Sequence, residues 1–292
     1  MRLLTTLSGF TAGLTGLMLC GAALAQDVPI VGQPVDKAMG FQAAGTNLAR
    51  DLQALDLMIL IIISAITILV SVLLLWVALR YNRRANPKPA TFTHNSPLEI
   101  AWTIVPILIL VVIGSFSLPV LFKQLEIPGA DVTVKVTGNQ WFWSYEYPDE
   151  DIAFDSFLIG DGKVMTPDVE AELVAAGYGK SDFLLATDTA MVVPVNKTIV
   201  VQLTGSDVIH AWMVPSLGMQ MSAVPGRLAE TWFKAEVEGT YFGQCSTLCG
   251  KDHSFMPITV KVVSQAVYDD WLAETKLADA GAVAPMQVAL AD

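Results

Sequence analysis

Two uncharged runs, Leu57 to Leu79 and Ile100 to Phe122, constrain this 292-residue chain more than any other feature. Each holds 23 residues without an acid or a base. At about 1.5 Å per residue, a helix of that length reaches roughly 34 Å, enough to cross a hydrocarbon core of about 30 Å. A buried hairpin in a water-soluble protein is the alternative, and two such runs in succession argue against it. Pro106 and Pro119 fall in the second run, where neighbouring helices can satisfy the carbonyls they leave free. Between the runs lie Arg80, Arg83, Arg84 and Lys88, with Glu99 the only acid. The positive-inside rule therefore places this link in the cytoplasm and both ends of the mature chain outside. Glu99 stands at the mouth of the second run, where an acid is an interfacial anchor or the start of a proton path.

The first 25 residues read as an export signal. Arg2 supplies the positive end, "LTGLMLCGAALA" the apolar centre and Ala23-Leu24-Ala25 a small-residue cleavage site. A lipoprotein signal would acylate Cys20, but Leu19 is bulkier than the residue such signals place there. Cleavage before Gln26 removes Cys20 and leaves Cys245 and Cys249 as the mature chain's cysteines. In an oxidising compartment such a pair is commonly a disulfide.

Beyond residue 123 the character changes. Residues 124–292 carry 23 acids against 9 lysines and arginines, which reads as a solvated acidic surface and gives no basis for a nucleic-acid partner. Alternating runs such as "DVTVKVTG", "WFWSYEY", "MVVPVNKTIVVQLTG", "TWFKAEVEGTYFG" and "PITVKVV", separated by turn residues, predict an antiparallel β-sandwich. "TPDVEAELVAAG" interrupts it. Thr166 as cap, Pro167 in the first turn and Gly177 as stop predict a short inserted helix. "YDDWLAETKLADA" predicts a last helix. The expected layout is a signal at 1–25, an exported segment at 26–56, a membrane hairpin at 57–122, a sandwich at 123–275 and a loose tail at 276–292.

The chemistry concentrates in "GQCSTLCGKDHSFMP", which presents Cys-x3-Cys-x3-His-x2-Met through Cys245, Cys249, His253 and Met256. His210 lies 35 residues upstream, and the chain has three histidines in all. Thiolate, imidazole and thioether form a copper-selective set. One cysteine with two histidines and a methionine would suit a single electron-transfer copper; a second thiolate allows two bridged coppers. Zinc, which takes Cys2His2 sets, and a disulfide remain alternatives at this point.

With these residues in view, the mature chain resembles subunit II of haem–copper cytochrome c oxidases of the bacterial aa3 type along nearly its whole length. The likeness rests on "FTHNSPLEIAWTIVP", "NQWFWSYEYPD", "LLATDTAMVVPV", "DVIHAWMVPSLG", "AVPGRL" and "YFGQCSTLCGKDHSFMPI". It implies a two-helix transmembrane hairpin followed by an all-β, cupredoxin-like Greek-key sandwich holding the binuclear copper centre CuA. The ligands it implies are His210, Cys245, Cys249, His253, Met256 and the backbone carbonyl of Thr247. It also implies that Trp141 is where electrons enter from cytochrome c. Glu146, Asp149, Glu150, Asp151 and Asp207 would form an acidic docking face. Glu99 would stand at the entrance of the family's K proton pathway. The implied partners are oxidase subunits I and III, cytochrome c and the lipid of a bacterial inner membrane.

The chain departs from the family pattern at several positions. Thr247 stands where the family usually has a glutamate that helps hold magnesium at the contact with subunit I. Gln220-Met221-Ser222 replaces a usual Lys-x-Asp before "AVPGR", and Phe142 replaces a frequent tyrosine. The expectation is intact electron entry with a weakened magnesium site. A membrane-anchored copper chaperone or thiol reductant is the rival reading, but such proteins usually carry a thioredoxin-like βαβ pattern. A structural subunit without copper would not keep the full ligand set. No Cys-x-x-Cys-His occurs, so a fused c-type cytochrome is not expected.

Overall fold

The computed structural model describes residues 28–88, 90–160 and 163–279, so the expected export signal and most of the expected tail lie outside the described residues. Two long helices, α1 (Asn47–Arg80) and α2 (Ser96–Leu125), contain the apolar runs and are long and apolar enough to cross a membrane. Both extend beyond those runs. Helix α1 begins ten residues before Leu57 because Thr46 caps it, its side chain accepting from the Ala49 amide. This polar first part is docked on the rest of the protein. Leu48 and Ala49 are buried, Arg50 pairs with Glu236, and Asp51 pairs with Lys123 of α2. The last part of the segment expected at 26–56 therefore belongs to α1 and packs on the rest of the protein.

The remaining chain forms two packed sheets. One follows the order β4 (Ile152–Ser156), β3 (Phe142–Tyr147), β2 (Val132–Asn139), β6 (Ile199–Gly205) and β9 (Ala229–Phe233). The other follows β5 (Met191–Pro194), β11 (Pro257–Val263), β10 (Gly239–Cys245), β7 (His210–Val214) and β8 (Met219–Ala223). A short strand β1 (Ile30–Gly32) joins the second sheet by pairing with the first half of β10. Strand β7 takes the last two residues of β10.

The sandwich is mixed rather than antiparallel. Strands β2 and β6 run parallel, as do β5 and β11 and β1 and β10. The excursion through β3, β4 and the inserted helix returns the chain to start β6 in the same direction as β2. The alternating pattern is correct for the buried face: Val134 and Val136 of β2 point inward, as do Trp143, Tyr145 and Tyr147 of β3. The expected inserted helix is present as α3 (Pro167–Ala175), capped by Thr166 and stopped at Gly177 with φ of 83°. It packs over Phe242 on the outside of β10, in a small second core. Helix α4 (Gln265–Asp279) is the last element among the described residues and runs past residue 275, after which the tail was expected to begin.

Candidate metal centre

The sheet contributes half of the site. His210 is the first residue of β7 and fully buried; Cys245 is the last residue of β10, opposite Trp212 of β7. His210 fits between the sheets because Gly138 of β2 lies beneath it. A Cβ at Gly138 would meet three His210 side-chain atoms at 2.9 Å. The loop from Ser246 to Met256 contributes the other half. It turns at Gly250, whose φ of 125° suits glycine, and tightens into a short 3-10 turn at His253–Phe255. Met256 follows and is buried just before β11.

These segments converge. The Cys245 and Cys249 sulfurs are 3.9 Å apart. Cys245 Sγ lies 4.0 Å from His210 Nδ1, and Cys249 Sγ lies 3.5 Å from both His253 Nδ1 and Met256 Sδ. The Thr247 carbonyl accepts from Cys245 Sγ at 3.3 Å. Ligand atoms of His210, Cys245 and Cys249 all fall within 4.8 Å of one another.

The surrounding groups orient these donors. Asp207 bonds His210 Nε2 at 2.9 Å, leaving Nδ1 directed at Cys245. Burial alone would raise the Cys245 thiol. The bond to His210 and the backbone at Ala211 and Thr247 outweigh it and hold that thiol well below its usual range. Cys249 moves upward, through burial and then the negative charge on Cys245. Burial works against a charged His210, but its bonds to Cys245 and Asp207 raise it.

The donor set fits a shared metal. Both cysteines are free, and 3.9 Å is far beyond a disulfide bond. Two thiolates bound to one tetrahedral metal, at about 2.3 Å each, would stand roughly 3.8 Å apart. Two imidazoles, a thioether and a carbonyl arranged around such a pair suit copper better than zinc.

Residues 132–263 match the profile of the periplasmic domain of cytochrome c oxidase subunit II, and residues 34–120 match that of its transmembrane domain. The chain belongs to the cytochrome c oxidase subunit II family. A subunit 2 from Cereibacter sphaeroides is 58% identical over 94% of this chain and 93% of that protein. A probable subunit 2 from Rickettsia bellii is 42% identical over 88% and 91%. The solved periplasmic domain of subunit II from Bradyrhizobium japonicum is 47% identical, covering 52% of this chain and 97% of that one, with a TM-score of 0.44.

The other residues singled out from the subunit II resemblance fall in different places. Trp141 is half-buried at the tip between β2 and β3, packed against Gly250; its indole nitrogen is buried without a partner. Asp207 is beside it, accepting from the Gln140 amide at 2.8 Å. Glu146 pairs with Lys135 on the neighbouring strand. Asp149, Glu150 and Asp151 sit on the turn at the opposite end of β3, roughly 17 Å along the strand from Trp141, and Glu150 pairs with Lys276. Glu99 lies in the first turn of α2, where its carboxylate accepts from the amide of the capping Asn95.

Two contributors were not found by reading the sequence for ligands. Asp207, expected on the docking face, also fixes His210 and lies only three residues before it. Trp143 is fully buried, and its indole donates to the Met256 carbonyl at 3.2 Å.

Proposed function

We propose that this chain is the electron-entry subunit of a cytochrome c oxidase, taking single electrons from cytochrome c and passing them toward haem in subunit I. The convergence of two free thiols, two imidazoles and a thioether, with sulfurs 3.9 Å apart, carries this reading. Bound there, a copper pair would supply one-electron storage shared over two thiolates. The protein's own part is to hold donors still in a dry setting. His210 is fully buried, Met256 is 1% exposed, and Asp207 locks the imidazole, so the donors have little room to rearrange.

Trp141, pressed against the ligand loop, is the proposed point of entry, and the acidic surface steers a basic cytochrome. Basic residues between the helices favour a cytoplasmic link, with the copper domain periplasmic and the helices in the inner membrane beside subunits I and III. Glu99, at the head of α2, remains the proposed proton-path entrance. The full-length chain in detergent should bind two coppers sharing one delocalised unpaired electron, as seen by EPR. A single copper, or none with both thiols reduced, overturns the reading.

The Thr247 carbonyl faces the copper donors, so replacing the usual glutamate leaves that contact in place. Gln220 and Ser222 stand exposed on β8. The altered side chains support a weakened magnesium site at the contact with subunit I. Metal analysis of the assembled oxidase should find magnesium below one per complex; tight stoichiometric magnesium refutes this.

A further inference from the structure

The two-residue link between β2 and β3 touches both halves of the ligand set. The backbone amide of Gln140 donates to one carboxylate oxygen of Asp207 at 2.8 Å, and the other oxygen holds His210 at 2.9 Å. The side chain of Gln140 reaches the opposite way, its Nε2 donating to the Cys249 carbonyl at 2.9 Å. Trp141 follows directly, and its indole lies over Gly250, the residue after Cys249. A Cβ on Gly250 would come within 3.2 Å of both Gln140 Nε2 and Trp141 Cζ2. The link therefore joins the strand-borne histidine, the loop-borne cysteine and the tryptophan.

We infer that Gln140 is a positioning residue that holds the ligand loop against Trp141. The inference rests on the electron-entry reading of the site. The two contacts of Gln140 differ in what specifies them. Its backbone amide would survive almost any substitution, so the bond to Asp207 does not require glutamine. The bond to Cys249 does, because it needs an amide donor on a side chain of this length. Glutamate would have the length but only acceptors at neutral pH. Without the donor, the Cys249 carbonyl loses its side-chain partner, and at Cys249 and Gly250 the loop meets the β2–β3 tip through packing, while Trp143 still holds the far end at Met256.

Gln140→Met keeps the length and removes the donor; Gln140→Ala removes both. In the copper-free full-length chain, hydrogen exchange at the amides of residues 250–253 should quicken about three- to tenfold in each variant, the range expected for losing one such bond. In the assembled oxidase, the copper EPR spectrum should shift. The rate of electron uptake at saturating cytochrome c should fall by a similar factor, with the half-saturating concentration unchanged. Unchanged exchange in both variants overturns the inference. So does a raised half-saturating concentration with an unchanged saturating rate, which would make Gln140 a docking contact. If the wild-type chain shows no two-copper spectrum, the electron-entry reading fails, while the exchange measurement still decides whether Gln140 holds the loop.

Discussion

His210 and Cys245 end paired strands, whereas Cys249, His253 and Met256 hang on a loop closed mainly by short-range backbone bonds. The strand half is placed by the same register that builds the sandwich. The loop half is placed by side chains that reach it from elsewhere. Gln140 holds the Cys249 carbonyl, Trp143 holds the Met256 carbonyl, and Lys163 of the inserted segment pairs with Asp252 while its ammonium sits 4.4 Å from the Phe255 ring centre. Fold stability and metal retention should therefore be separable. Damage to the strand half costs both, and damage to the loop half costs mainly retention.

The sharpest challenge to that separation is Gly243→Ala in β10. A Cβ there would lie 2.2 Å from the Met213 carbonyl oxygen of β7, which is backbone and cannot turn aside. The expected loss is about 3 kcal/mol, lowering the unfolding midpoint by roughly 10 °C and copper content with it. Trp143→Phe lies on the boundary between the halves. It leaves the buried Met256 carbonyl without its donor, so about 1–2 kcal/mol should go and copper release should quicken roughly tenfold. Lys163→Met removes a partly exposed ion pair worth at most about 1 kcal/mol. Copper release, followed with a competing chelator, should rise about two- to threefold while the unfolding midpoint barely moves. If Lys163→Met proved as destabilising as Gly243→Ala, the loop would be part of the folding core and the distinction would collapse.

The contrast also explains what could be read in advance. The convergence of Cys245, Cys249, His253 and Met256 was legible because their spacing and chemistry are local. That His210 joins them was legible because few histidines compete for the place. The apolar runs and the alternation on β2 and β3 showed hairpin and sandwich for the same reason, since one window of sequence holds the whole signal. What escaped depends on contacts between distant segments. Nothing near Gln140 announces Cys249, 109 positions away. Asp207 carries no mark distinguishing a surface acid from a histidine holder. The parallel pairing of β2 with β6 follows from how the chain returns after α3, which no single strand records. The early start of α1 depends on burial of Leu48 and Ala49 against the rest of the protein, so the apolar run alone underestimates it.

Strand β1 carries one more consequence. Ile30 and Gly32 pair with Thr240 and Tyr241 on the far side, in sequence, of both apolar helices. The arm is fastened further by Thr46, whose hydroxyl donates to the Leu217 carbonyl, and by Gln42 against Ser216. During synthesis these early residues have no partner until about 200 more have emerged and both helices have been laid down. The arm is thus a clasp that can shut only once both helices and β10 exist. Its protection from a protease would report, chain by chain, when synthesis and insertion have passed that point.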